Sequence, residues 1–276
     1  MKRYLFVLCL LFLKLSTDAQ TVQYEQKGDI PYYESDVQLD SYMRERCKLD
    51  IYYPVNKNNI ATVIWFHGGG LTGGEKEIPG ALKEQGFAVV GVGYRLSPKA
   101  KGRDIIEDAA AATTWVFKHI KEFGGNENLI FVSGHSAGGY LGMMLTLNKS
   151  YLNKYRIDAN RIAGLIPFSG QTITHFTIRK ESGIGEVQAV VDEYAPLYHV
   201  RADAPPLLLI TGGRELELLG RYEENAYMAR MMKLAGHKRT SLIELGGYGH
   251  DMTFPAFPLL IQQVNDRTKE IINHSK

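Results

Sequence analysis

Cysteine is nearly absent from this chain: Cys9 and Cys47 are the two in 276 residues. Two cysteines cannot staple a disulfide framework. An excess of one charge is missing as well, with 32 Lys and Arg against 30 Asp and Glu. Dedicated nucleic-acid binders instead concentrate basic residues and reach domain pI values above about 9. There is no His-Glu-x-x-His and no cysteine pair at zinc spacing, so no metal motif is legible. The nine-residue apolar run 5–13 falls well short of the ~20 residues that span a bilayer. Internal repeats, low-complexity tracts and long linkers are lacking too. What is present is 45% apolar residues, with Tyr 16, Phe 11 and Gly 28, a composition that excludes disorder and points to a packed core with many turns.

The apolar run follows Lys2 and Arg3 and precedes the small-residue stretch Thr17-Asp18-Ala19. This is the pattern of a secretory signal peptide. It predicts cleavage between Ala19 and Gln20, export to a periplasm or the medium, and a single domain over 20–276. Without 1–19 the chain carries 29 residues of each sign and is formally neutral, and Cys47 is its one cysteine.

Strands and helices alternate along the rest. Continuous apolar runs at 61–66, 87–92, 129–132, 162–167 and 207–211 read as strands covered on both faces. The stretch 46–54, stopped by Pro54, and 241–245 read as further strands. Helices are expected at 79–85, 104–121, 137–147 and 221–235, with a closing helix from Pro258. In 104–121 the apolar residues Ile105, Ala109, Ala112, Val116 and Ile120 recur at helical spacing. Such alternation implies an α/β fold with a mostly parallel sheet covered on both sides. Residues 171–200 show no clear period and read as a lid or variable insertion. Gln171, His175, Phe176, Tyr194 and Tyr198 there would form either a sugar- or aryl-binding wall or a packed cover.

The informative motif is Gly134-His135-Ser136-Ala137-Gly138, directly after a buried strand and directly before a Gly/Ala-rich helix. In that setting Gly-x-Ser-x-Gly forms a nucleophile elbow. A dinucleotide turn would need glycine where Ser136 stands, and a phosphate loop would need Lys followed by Ser or Thr. Upstream, His67-Gly68-Gly69-Gly70 ends the strand 61–66. A serine attacking a carbonyl needs hydrogen-bond donors where the oxyanion forms. The N–H groups of Gly69, Gly70 and Ala137 are the candidates, and His67 reads as a brace for the loop.

These motifs, with Tyr94-Arg95-Leu96-Ser97-Pro98 between them, resemble the α/β-hydrolase superfamily, and within it the hormone-sensitive-lipase-like carboxylesterases and related acetyl and feruloyl esterases. The resemblance runs from about Leu49 to Val264. It implies an eight-stranded sheet and a triad in the order Ser, acid, His. Of eight histidines, only His250 lies on a loop after the last strand, among Gly246, Gly247 and Gly249. The acid should follow the strand 207–211, where the family has Gly-x-x-Asp. Counting from Gly212 selects Glu215, the favoured position, whereas aligning on Asp-x-Leu selects Glu217, with Leu219 following.

The implied activity is hydrolysis of carboxylic esters through an acyl-enzyme, without cofactor. Short acyl or aryl esters and acyl groups on polysaccharides are the expected substrates. An amidase such as an arylformamidase, or an exopeptidase, would use the same triad. A non-catalytic binding module would usually lack the Ser or the His, and this chain has both. The lack of a long apolar lid helix argues against a lipase.

Overall fold

The computed structural model describes residues 22–35, 37–218 and 220–274. The expected signal peptide and Leu219 lie outside the described residues. Among those described, no helix is long and apolar enough to cross a membrane.

Among the described residues eight strands form one sheet: β1 (Tyr24–Pro31), β2 (Lys48–Pro54), β3 (Ile60–Phe66), β4 (Ala88–Val92), β5 (Gly125–His135), β6 (Gly164–Phe168), β7 (Leu207–Gly212) and β8 (Thr240–Leu245). Their order is β1-β2-β4-β3-β5-β6-β7-β8. β2 pairs antiparallel with both β1 and β4, and every pair from β4 to β8 is parallel. The eight-stranded, mostly parallel sheet is therefore as expected.

The helices are α1 (Ser41–Arg46), α2 (Gly102–His119), α3 (Ala137–Leu147), α4 (Ser150–Asn153), α5 (Phe176–Glu181), α6 (Arg221–Leu234) and α7 (Thr253–His274). Alternate residues of the central strands feed two cores. Ile64 and Phe66 of β3 join α2, α3 and α6 on one face, whereas Val63 and Trp65 meet Phe168 and the α7 residues Phe257 and Leu260 on the other. This double burial is why the strands read as unbroken apolar runs. α3 is buried at every position, as a helix that is apolar all round should be.

Three expectations change. The helix at 79–85 is a single 3-10 turn, Gly80–Leu82, too short to repeat an apolar face. The closing helix starts at Thr253, with Pro258 inside it. The strand expected from residue 46 begins at Lys48, because Arg46 closes α1: the N–H of Cys47 donates to the Met43 carbonyl at 2.8 Å. β1, unexpected from sequence, is a polar edge strand whose first residue, Tyr24, stacks on Tyr52 with ring centroids 5.0 Å apart. Polar, charged edges are a common way to discourage pairing with another chain.

Candidate active site

Five loops leave the carboxyl ends of β3, β5, β6, β7 and β8, and they converge on Ser136. In open α/β sheets that end is where ligands bind. β5 turns into α3 without a spacer, and this forces Ser136 to φ 54 and ψ −115. Such a conformation costs a non-glycine residue about 1–3 kcal/mol. The turn survives because its neighbours lack side chains. A Cβ on Gly138 would sit 2.0 Å from the Phe66 carbonyl oxygen, and one on Gly134 would meet Gly138 at 2.6 Å. The Ser136 N–H donates to the Phe168 carbonyl at 2.8 Å, which ties the elbow to β6. Its Oγ stands at the N-terminal end of α3, where developing negative charge is favoured.

The loop after β3 lies against this elbow: a Cβ on Gly68 would come 3.7 Å from that of Ser136. His67 does not reach the reacting atoms. Its ring stacks on Tyr94 at 4.1 Å, and the Tyr94 hydroxyl donates to the His67 carbonyl at 2.6 Å. Burial pushes the His67 pKa down to about 4, leaving a neutral brace. The Gly69 carbonyl accepts from the Thr72 and Gly73 N–H groups at 3.0 Å each, and the Gly70 carbonyl accepts from Thr177 Oγ1 at 2.5 Å. With φ of 111 and 64, Gly69 and Gly70 adopt backbone that side chains oppose. Their carbonyls are thus engaged within the loop. Among the described residues no protein acceptor takes the N–H of Gly69, Gly70 or Ala137.

His250 brings the site together. Its Nε2 lies 2.9 Å from Ser136 Oγ, and its Nδ1 lies 2.5 Å from Glu217 Oε1. The acid facing His250 is accordingly Glu217 and not Glu215, the position favoured from sequence. A turn explains the difference. After β7, the N–H groups of Leu216 and Glu217 both donate to the Gly213 carbonyl at 2.9 Å. One helical turn therefore carries residue 217 back over the strand end, while Glu215 is exposed on the outer side. The neighbouring Arg214 pairs there with Glu244 at 2.6 Å.

The Glu217 side chain is fully buried. Oε2 accepts from Ser169 Oγ at 2.6 Å and the Gly212 N–H at 3.1 Å, and Oε1 also accepts from the Leu218 N–H at 3.1 Å. Burial alone would raise its pKa, but the hydrogen bonds from His250 and Ser169 outweigh it and hold the carboxyl at about 2. Ser169, which sequence reasoning missed, is itself held by its N–H to Ile210 at 2.7 Å and by Arg221 Nη1 on its carbonyl at 2.5 Å. Its one sequence signal is a hydroxyl just past a strand end.

The excursion 171–200 packs beside the glycine loop that follows β3: Thr177 Oγ1 donates to the Gly70 carbonyl. Gln171 and His175 are buried framework: the Gln171 side chain accepts from the Phe176 N–H at 3.0 Å, and His175 Nδ1 accepts from the Thr177 N–H at 3.2 Å. Phe176 is half-buried. A Cβ on Gly70 would lie 3.0 Å from its ring. Phe176, Thr177, Ile184, Pro98 and Thr72 line a cleft of about 720 Å³, and the charged residues Lys101, Lys180, Glu181 and Glu186 belong to the same lining.

The BD-FAE family model matches residues 49–217, well over half of the chain. The probable carboxylic ester hydrolase LipM of Mycobacterium tuberculosis is 28% identical over 216 residues, covering 68% of this chain and 48% of that protein. Fumonisin B1 esterase of Sphingopyxis macrogoltabida is 35% identical over 139 residues, covering 42% of this chain and 26% of the relative. The chain thus spans about half or less of the length of these curated relatives. A truncated carbohydrate esterase from gut microbiota superposes with a TM-score of 0.71 at 18% identity, covering 91% of this chain and 98% of that one. At that identity the likeness is one of fold, and the fold is that of the α/β-hydrolases.

Proposed function

The chain belongs to the BD-FAE family, and from that premise we propose that it hydrolyses carboxylic esters by acyl transfer through Ser136. The observation that carries this reading is the chain of contacts from Ser136 Oγ to His250 Nε2 at 2.9 Å and from His250 Nδ1 to Glu217 at 2.5 Å. A serine hydroxyl is a weak nucleophile until a positioned base takes its proton. In the first half-reaction Ser136 Oγ attacks the ester carbonyl carbon as His250 Nε2 accepts the hydroxyl proton. The N–H groups of Gly69, Gly70 and Ala137 receive the oxyanion, which in a water-poor site is the largest single source of rate. His250 returns the proton to the departing alkoxide, leaving an acyl-serine. Water then attacks that ester, giving its proton to His250, and collapse releases the acid and restores Ser136. Throughout, Glu217 fixes the tautomer that leaves Nε2 free to accept, and it stabilises the imidazolium.

The cleft beside Phe176 is the place for the larger part of the substrate. Its size suits a sugar or aryl unit, so acyl groups carried on polysaccharides fit this reading. The expected export would bring the enzyme to such polymers.

The test is a panel of p-nitrophenyl acyl esters, acetylated xylan and methyl ferulate, run beside labelling with a fluorophosphonate. Ser136→Ala should abolish turnover and labelling, with a loss on the order of 10⁴–10⁶ in kcat. Retained labelling would sink the assignment of the nucleophile. Turnover of an aryl formamide or a peptide in preference to every ester would move the reading to an amidase or peptidase.

A further inference from the structure

His135 occupies the variable position of the elbow motif, and the reaction as written gives it no part. It nevertheless makes a second link, beside the Ser136–His250 contact, between the elbow and the loop that carries the base. Its Nε2 lies 2.8 Å from the backbone carbonyl oxygen of His250, and the two rings are 4.8 Å apart, tilted by 44°. Since a carbonyl only accepts, Nε2 must carry the proton. Resting on the ester-hydrolase reading above, we propose that His135 is a positioning residue, whose Nε2–H to the His250 carbonyl sets the base at its distance from Ser136.

The loop that carries His250 needs such an anchor. It contains Gly246, Gly247 and Gly249, and Gly247 has φ of 84, so its backbone has little intrinsic preference for one shape. Ahead of the histidine it is held by the Gly213 N–H on the Tyr248 carbonyl at 2.7 Å. At the histidine itself, His135 supplies the backbone contact. The donor is rigidly mounted: His135 is the last residue of β5, paired with Phe168 of β6, and Ser136 is the next residue in the chain. Any shift of this donor therefore moves with the nucleophile, so the base is referenced to the serine and not to its own loop.

The buried placement also favours the neutral ring. Burial, then the neighbouring His250, pushes its pKa down to about 4, against smaller opposing effects of its bond to the His250 carbonyl, of Glu217 and of Asp251. Glu77 shares with it a cavity of about 360 Å³ behind the site, also lined by Trp65, Asp251 and Phe257. A neutral ring donates one proton to the carbonyl and adds no positive charge beside the imidazolium that forms on His250 during turnover.

The test separates the donor from the ring. His135→Gln can keep an N–H at about the reach of Nε2, whereas His135→Phe keeps an aromatic ring of similar shape without it. A 1 Å misplacement can cost about 10²-fold. We therefore expect His135→Phe to lower kcat on p-nitrophenyl acetate by about 10–100-fold with KM unchanged. The fluorophosphonate labelling rate should fall in step, and His135→Gln should recover to within about threefold of the parent. His135→Leu, a second variant without the donor, should follow His135→Phe, and serves if the latter fails to fold. Equal activity of the donor and donor-less variants, whether both high or both low, would overturn the proposal, as would a loss confined to KM or to the melting temperature. The hydrolase reading is judged separately: it fails if Ser136→Ala still turns over ester, whatever the residue 135 variants do.

Discussion

Replacing Glu217 by glutamine removes one charge at constant shape, and the surroundings of the side chain dictate how much activity goes with it. The buried carboxylate accepts from four groups: His250 Nδ1 at 2.5 Å and the Leu218 N–H at 3.1 Å on Oε1, Ser169 Oγ at 2.6 Å and the Gly212 N–H at 3.1 Å on Oε2. An amide has one acceptor oxygen and one NH2. If its oxygen takes the Oε2 place, the NH2 faces His250 Nδ1 and forces the proton onto Nε2, so the imidazole can no longer accept from Ser136. If its oxygen takes the Oε1 place, the tautomer survives, but the NH2 opposes the Gly212 N–H and the imidazolium loses its counter-charge. Wrong-tautomer variants of such triads lose about 10⁴ in kcat, so a fall on the order of 10³–10⁴ is expected for Glu217→Gln. Glu215→Gln, at an exposed position, should stay within about threefold, since surface changes away from special contacts are worth about 0.5 kcal/mol or less. Initial rates on p-nitrophenyl acetate, with melting temperature as a check on folding, measure both. A Glu217→Gln enzyme within tenfold of the parent, or a larger loss at Glu215, would refute the account of the turn and its acid.

Three further outcomes follow from the geometry. The Glu217 carboxyl is held at about 2 against an ordinary value of 4.5, and a depressed acid stabilises the fold above its unfolded pKa and loses that contribution as pH falls through the folded one. The melting-temperature gap between the parent and Glu217→Gln should therefore be full above pH 4.5 and shrink toward pH 2; a gap that widens on acidification would contradict it. Gly69→Ala places a Cβ 2.2 Å from the Gly73 carbonyl oxygen, which must turn the Gly69 peptide; a kcat loss of about 10²–10³ with retained fluorophosphonate-accessible serine is expected. Phe176→Ala should raise KM for methyl ferulate or acetylated xylan while sparing p-nitrophenyl acetate, and equal effects on small and large esters would place the cleft outside the substrate path.

The legible parts of this protein are those where local chemistry leaves one solution. Buried strands such as β3 and β7 announce themselves because both faces need apolar side chains, and the boundaries of α3 follow from the elbow that starts it and the end of its apolar run. β1 was hidden because an edge strand with mostly exposed residues has no pattern to keep. The closing helix was placed too late because Pro258, favoured in a first turn, sits beyond it. The choice between Glu215 and Glu217 falls to the second for a subtler reason: counting along the chain assumes the spacing of an extended loop, and the turn from Gly213 to Glu217 shortens the path in space while lengthening it in sequence. His135 and Ser169 act through hydrogen bonds to residues 115 and 48 positions away, and no window of sequence contains both ends of either contact.

The contact between Ser136 and His250 joins residues 114 positions apart, and β6 and β7 stand in the sheet between β5 and β8, the strands that lead to them. No fragment lacking β8 holds the base, and no intermediate in which β8 is still unpaired has a nucleophile worth the name. The contact between Ser136 and His250 is therefore complete only once β8 has joined the sheet. In refolding, helical signal and tyrosine burial should return before esterase activity does.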